Sequence, residues 1–327
     1  MDIYLGIDIG SVTVKFAVIS ENNELISCEY LRIYGKPIIA LQDGLKKIQG
    51  KVPFNGIMRG VGVTGSARYL AGAVVGADII KNEITAQSVG ALHYDPHIRT
   101  IFEIGGQDSK LIIIRDGMVV DFMMNTVCAA GTGSFLDQQA TRLGIRVEQL
   151  GDMALQSTST VPIAGSCTVF AESDMIHKQQ MGYQTNDIVH GLCHALVRNY
   201  LNDVVKGKEV QQPIAFLGGV AFNRGVVKAF NEALGERIDV LPNHEVVGAI
   251  GMALLAREEK YYNHNGSLFN GFGISELNYH MSSFRCEACT KECEIITIIQ
   301  NDKVVAHLGG RCDLWEGKNS GHKERIG

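Results

Sequence analysis

The stretch from Thr100 to Asp137, TIFEIGGQDSKLIIIRDGMVVDFMMNTVCAAGTGSFLD, constrains the fold more than any other part of the chain. An apolar run over Ile101–Ile104, a Gly105-Gly106 turn carrying Gln107 and Asp108, and a second run over Leu111–Ile114 predict a β-hairpin, with a further turn at Asp116-Gly117. Paired glycines between strands let backbone N–H groups approach an anion closely, so this turn suits a phosphate. The chain then continues as a strand (Val119–Met124), reaches Cys128, and passes through Ala-Ala-Gly-Thr-Gly into a helix expected to start near Ser134. A cysteine just ahead of a helix N-terminus sits in positive potential, which favours its thiolate and suits it to bind metal. Phosphate chemistry and thiolate chemistry therefore share one short stretch.

The rest of the chain sets bounds on that pairing. A length of 327 residues suggests two domains, and 46% hydrophobic residues with 37 glycines read as a globular α/β protein rich in tight turns. A net charge of −5 leaves no footprint for nucleic acid or an anionic membrane, and no apolar run is long enough for a transmembrane helix. MDIYLGIDIG reads as a strand and turn rather than a signal peptide, so a cytoplasmic location is expected. There the eight cysteines are better read as ligands or buried thiols than as a disulfide framework.

Residues 3–31 predict three strands, with Asp8 at the end of the first, followed by Gly10, Ser11 and Thr13, and Lys15 on the returning strand. A carboxylate beside such a turn can orient Mg²⁺ while amides and hydroxyls meet phosphate. Gly60-Val-Gly-Val-Thr-Gly65 matches a dinucleotide-binding pattern, but it follows a hairpin domain rather than opening a βαβ unit, so a glycine-rich strand-to-helix connection is the better reading. Cys167 again precedes a helix, with Thr168 as a cap. A four-thiolate iron–sulfur cluster needs two more cysteines than Cys128 and Cys167 supply, and a two-fold dimer would add them. Cys28 and Cys193 read as core thiols. Pro213–Leu217 predicts a buried strand running into a Gly218-Gly219 turn and a helix from about Arg224, a turn against which a flat ring or ribose can lie. The segment 258–280 turns polar and reads as a linker. Beyond it, Cys286, Cys289 and Cys293, with Cys312 after a hairpin-like stretch, form a metal signal for Zn²⁺ or a second cluster.

LGIDIGSVTVKFAVI, IFEIGGQDSKL, FLGGVAFNRGV and VVGAIGMALLA resemble the two phosphate motifs, the adenosine motif and the final connecting helix of the acetate kinase, sugar kinase, Hsp70 and actin superfamily. Within it, NTVCAAGTGSFLD and AGSCTVFAESD resemble the cluster-binding motifs of the BadF/BadG/BcrA/BcrD ATPases, the activators of 2-hydroxyacyl-CoA dehydratases and benzoyl-CoA reductases. The resemblance places Gly10, Ser11 and Lys15 with Asp8 in the first phosphate motif, and Gly105 and Gly106 with Gln107 and Asp108 in the second. It places Gly218, Gly219 and Asn223 in the adenosine motif, and makes Cys128 and Cys167 cluster ligands. Asp8, Glu103, Gln107 and Asp108 are the catalytic candidates, with Glu103 standing where simple activators usually carry Asp.

The implied fold is α/β: duplicated ribonuclease-H-like domains of the actin and Hsp70 type around a nucleotide cleft, plus a small Cys-rich C-terminal appendage. Residues 1–95 are expected to form the first half of the ATPase domain, with helix 246–257 packing back on it, and 96–257 the second half carrying both cluster cysteines. Residues 281–327 resemble the start of the segment that follows such a domain in large fused activases, and read as cut short. The implied function is an Mg·ATP-driven transfer of a low-potential electron. It would pass from a [4Fe–4S] cluster bridging a homodimer to an iron–sulfur acceptor, either a dehydratase or reductase partner or a fused downstream domain. A small-molecule kinase of the same superfamily is the alternative, and an ATP-regulated binding module with a structural zinc the third.

Overall fold

The computed structural model describes residues 1–125, 128–164, 167–263, 265–312 and 314–315. Two compact units divide the chain, one formed by Met1–Glu83 together with the residues from Met252 on, the other by Ile84–Gly251.

The first unit is built on strands β1 (Asp2–Ile9), β2 (Thr13–Ser20), β3 (Leu25–Arg32), β4 (Ile57–Thr64) and β5 (Ile79–Ile80), in the sheet order β3-β2-β1-β4-β5. β1 and β2 are buried along almost their whole length, as expected of strands covered on both faces, whereas the edge strand β3 is only half-buried. Helix α1 (Pro37–Gln49) starts at a proline whose missing N–H is no loss in the first turn, and it puts Leu41, Leu45 and Ile48 into the core at helical spacing. Helix α2 (Arg68–Val75) adds Ala71, Val74 and Val75 to the same core.

The second unit repeats the plan. Helix α3 (Glu83–Tyr94) leads into β6 (Thr100–Ile104), β7 (Ser109–Arg115) and β8 (Met118–Asn125), then α4 (Gly133–Leu143), α5 (Leu150–Leu155), α6 (Thr168–Gln180) and α7 (Thr185–Tyr200). Strand β9 (Ile214–Leu217), helix α8 (Arg224–Leu234) and strand β10 (Asp239–Val240) complete it, with the sheet order β10-β9-β6-β7-β8. Read outward from β1 and from β6, the two sheets have the same pairing: two antiparallel neighbours on one side and two parallel ones on the other. Side-chain alternation splits the second sheet's core between its faces. Phe102, Ile104, Leu111, Ile113 and Phe216 meet α7 and α8 on one face, while Ile101, Ile112, Ile114, Ala215 and Leu217 pack with Ala91 and Val247 on the other. Phe102, Tyr200, Phe216 and Phe230 stack in tilted and edge contacts at 5.1–5.5 Å, each such pair adding about 0.5–1.5 kcal/mol beyond its buried area.

Helix α9 (Val247–Asn263) follows, and its later part explains the Gly60–Gly65 pattern. A Cβ at Gly62 on β4 would collide with the Met252 carbonyl, so the glycine is there to admit the helix backbone. The stretch 258–280 is not a free linker. α9 runs on to Asn263, and Phe269, Phe272 and Leu277 pack against the first unit's core. Asp78, whose side chain is wholly buried, anchors this return. It accepts from Val61 N, Ser267 Oγ and Leu268 N, each at 2.8 Å, and pairs with Lys260 Nζ at 2.6 Å. Polar composition suggested a linker because the partners of those polar groups lie elsewhere in the sequence. Strands β11 (Tyr279–Arg285), β12 (Glu294–Gln300) and β13 (Lys303–Leu308) then form an antiparallel sheet whose Ile298 and Ala306 join that core. Among the described residues no helix is long and apolar enough to cross a membrane.

Candidate functional site

The β1–β2 hairpin sets Asp8 directly opposite Lys15, and Lys15 Nζ donates to Asp8 Oδ2 at 3.1 Å. Asp8 is buried, and its parallel neighbour Thr64 on β4 has a buried hydroxyl without a partner among the described residues. At the tip Gly10 N donates to Thr13 O at 2.9 Å and Ser11 is exposed. The turn thus combines an exposed serine with a buried carboxylate paired to lysine.

The β6–β7 hairpin repeats the chemistry. Glu103 stands opposite Lys110, and Lys110 Nζ lies 2.9 Å from both Glu103 Oε2 and Asp108 Oδ2. In both hairpins the carboxylate and lysine are 7 residues apart, a duplication that sequence reading registered at Lys15 but missed at Lys110. Burial by itself would lower the Lys110 pKa, but the charges of Glu103 and then Asp108 outweigh it and hold the ammonium well above the usual lysine range. Gln107 is exposed at the tip and Gly105 N donates to Asp108 O at 3.0 Å.

The Gly218 turn lies against the same strand end. Gly218 has φ +89°, and a Cβ there would collide with the Ile104 carbonyl and approach Glu103 Oε1, so no other residue fits. Gly218 N donates to His244 O at 3.0 Å, His244 Nδ1 sits 3.0 Å from Gly218 O, and the exposed Phe222 ring meets His244 edge-on at 4.3 Å. His244 carries no motif signal, because only the fold brings Pro242-Asn243-His244 back to the turn. Gly219 is half-buried beside it. Asn223 is the cap of α8: its Oδ1 accepts from Val226 N at 3.0 Å, while its Nδ2 is buried without a partner among the described residues.

Cys128 and Cys167 both hold extended backbone at a helical N-cap, Cys128 before a 3-10 turn (Ala129–Gly131) that leads into α4, and Cys167 before α6. Both are half-buried. Asn125 shapes the first loop, donating from Nδ2 to Cys128 O and accepting from Cys128 N, each at 3.0 Å. α7 braces both loops: Asn199 Nδ2 donates to Ala130 O at 3.2 Å and Arg198 Nη2 to Ile163 O at 2.6 Å. Glu172 ties α6 to α4 through Gln138 Nε2 at 2.9 Å and Arg142 Nε at 2.7 Å. The phosphate-type turn and α4 are joined directly. Gly133 N donates to Gly105 O at 2.8 Å, Ser134 N to Gly106 O at 2.8 Å, and Ser134 Oγ to Gly106 O at 2.5 Å.

The remaining cysteines divide. Cys193 is a core thiol, pushed up to about 12 by burial, and Cys28 is half-buried on β3. Cys286 follows β11, and Trp315 Nε1 donates to its Sγ at 3.3 Å, the foremost cause holding its thiol pKa down. Cys289 and Cys312 are exposed and Cys293 is half-buried. Among the described residues these four thiols do not place three ligand atoms within 4.8 Å of one another.

The sequence profile of the BadF/BadG/BcrA/BcrD ATPase family matches residues 5–256. The chain belongs to this family. Among its relatives, the (R)-2-hydroxyglutaryl-CoA dehydratase activating ATPase of Acidaminococcus fermentans is 34% identical over 263 residues, 78% of this chain and 98% of that protein. The activator of lactoyl-CoA dehydratase of Anaerotignum propionicum is 33% identical over 78% of this chain and 97% of its own length. Among solved structures, the activator of the 2-hydroxyisocaproyl-CoA dehydratase from Clostridium difficile with bound ADPNP superposes with a TM-score of 0.75 at 32% identity, covering 80% of this chain and 97% of that one. The family match ends at residue 256, so the β11–β13 sheet and its cysteines lie outside it.

Proposed function

We propose that this chain is an ATP-hydrolysing activator that drives an electron from a [4Fe–4S] cluster, shared by two copies, to an iron–sulfur partner of the 2-hydroxyacyl-CoA dehydratase or benzoyl-CoA reductase type. The observation that carries the reading is the direct attachment of α4 to the Gly105-Gly106 turn: the helix behind Cys128 takes its first amide bonds from the turn that would hold phosphate. A shift of that turn moves the helix, and Glu172 passes the movement to α6 behind Cys167.

The residues fit the groups this requires. Ser11 and Lys15 at the first hairpin, and Gly106 and Gln107 at the second, each offer backbone amide, polar side chain or charge to a phosphate, while Gly10 and Gly105 shape the turns through their bonds to Thr13 O and Asp108 O. Asp8, Glu103 and Asp108 are the carboxylates for Mg²⁺ and the attacking water. Two buried polar atoms without partners among the described residues, Thr64 Oγ1 and Asn223 Nδ2, lie beside the Asp8 and Gly218 turns. The Gly218-Gly219 turn is the surface for the adenosine. Cys128 and Cys167 supply two thiolates per chain, and a second copy supplies the other two that a cubane cluster takes. When bound, the cluster supplies one-electron transfer at low potential. The exposed Val169 and Phe170, two and three residues after Cys167, give that dimer an apolar contact.

Iron and sulfide analysis after anaerobic reconstitution tests this reading. A Cys286→Ser/Cys289→Ser/Cys293→Ser chain, which leaves Cys312 as the one tail thiol and so too few for a second cluster, is expected to dimerise and hold about four irons per dimer. A monomer that retains a full cluster would contradict it.

A further inference from the structure

α7 carries His190 and His194 one helical turn apart, so both imidazoles project from one stripe, and Glu232 reaches the same point from α8. His194 Nε2 lies 3.2 Å from His190 Nε2 and 3.1 Å from Glu232 Oε2. Among the described residues, this is the one place where three histidine, cysteine or carboxylate ligand atoms lie within 4.8 Å of one another. Hydrogen bonding alone does not account for it. An imidazole nitrogen has either one lone pair or one hydrogen in the ring plane, and here two polar atoms face the same nitrogen at bonding distance.

Zinc bonds to imidazole nitrogen and carboxylate oxygen run about 2.0–2.2 Å, which sets neighbouring ligand atoms of a tetrahedral ion about 3.3 Å apart. Both observed separations are close to that spacing. Lys228 Nζ sits 3.7 Å from the other carboxylate oxygen, Glu232 Oε1, and leaves Oε2 to the cluster. None of these residues belongs to the glycine turns or the Cys128 and Cys167 loops.

We propose that His190, His194 and Glu232 form a divalent transition-metal site that takes Zn²⁺ or a similar ion through two imidazole nitrogens and one carboxylate oxygen, with water in the remaining position. Two nitrogens and one oxygen suit Zn²⁺, Co²⁺, Ni²⁺ or Cu²⁺, whereas Mg²⁺ and Ca²⁺ take oxygen ligands. His190 Nδ1 is buried without a partner among the described residues, so the second hydrogen bond that usually orients a ligating ring is missing. Such outer partners are worth about 10–100-fold in affinity, so the site is an exchangeable one rather than a structural zinc. An ion there cross-links α7, which braces both cysteine loops, to α8, which follows the Gly218 turn.

The reduced, metal-stripped full chain titrated with Co²⁺ under anaerobic conditions tests this. One equivalent per chain is expected to give a nitrogen–oxygen cobalt spectrum, separate from the intense sulfur-to-cobalt charge transfer of any thiolate site. That signal should vanish in His190→Ala and His194→Ala and weaken about tenfold or more in Glu232→Gln, while thiolate bands and the metal-free melting temperature stay unchanged. Absence of the signal from the wild-type chain, or the same affinity in all three variants, would overturn the proposal. Should an alanine variant melt early, Glu232→Gln alone decides it.

Discussion

Lys110 is the residue on which the second hairpin's electrostatics rest, and Lys110→Met removes its charge while keeping most of its length. Lys110 is 4% exposed and Glu103 5% exposed, so the variant takes the Lys110 charge away from a buried carboxylate. Removing one partner of a buried pair costs about 3–5 kcal/mol. Asp108, whose side chain is 35% exposed, can rehydrate and should add little. Glu103→Gln in the same chain discharges that carboxylate, so the double variant should recover most of the loss. Urea unfolding of the nucleotide-free chain measures this, followed by far-ultraviolet circular dichroism. The chain's single tryptophan, Trp315, belongs to the first unit and would not report on this hairpin. The pH sign follows from the raised pKa of Lys110. Its contribution is fully present below the ordinary value of 10.5 and is lost only as the pH climbs above that, so the deficit of Lys110→Met should be constant across neutral pH. A loss under about 1 kcal/mol, or a double variant no more stable than the single one, would refute the reasoning.

Asp8→Asn keeps the shape of the first turn but removes the charge opposite Lys15; ATP hydrolysis should fall to background while iron content is unchanged, and normal hydrolysis would show the first phosphate turn to be misassigned. Asp78→Ala strips four partners from one buried site, so about 3–5 kcal/mol of stability should be lost. Limited proteolysis should then cut within residues 265–278, where an unchanged digestion rate would mean that Asp78 does not anchor that return.

Local signals made much of this molecule legible. The glycine turns at Gly10, Gly105 and Gly218 and the two cysteines ahead of helices are each written within about ten residues, because turn conformation and helix capping are short-range effects. The β12–β13 hairpin was readable for the same reason. What sequence reading missed is non-local. Lys110 becomes visible as a partner of Glu103 only through strand register, and His244 reaches Gly218 only because β10 lies beside β9. The Gly60–Gly65 pattern was open to two readings until the Met252 carbonyl appeared in the space above Gly62. Residues 258–280 looked like a linker because their polar groups are satisfied by Asp78 and Val74, nearly two hundred positions earlier. Asn125, Arg198 and Asn199 support the cysteine loops from outside any motif, and nothing in their immediate neighbourhood announces it.

The central claim is that nucleotide at the glycine turns and electrons at Cys128 and Cys167 are coupled through α4 and α6. If so, a nucleotide that moves the Gly105-Gly106 turn binds the oxidised and reduced forms with different affinity, and by linkage the reduction potential shifts by the same free energy. For a one-electron couple that is about 59 mV for each tenfold affinity ratio. Reductive titration of the reconstituted dimer with and without a non-hydrolysable ATP analogue, followed by electron paramagnetic resonance, measures it directly. A potential that differs between the two titrations, with the difference diminished in Ser134→Ala, is the predicted result; identical potentials would contradict the account.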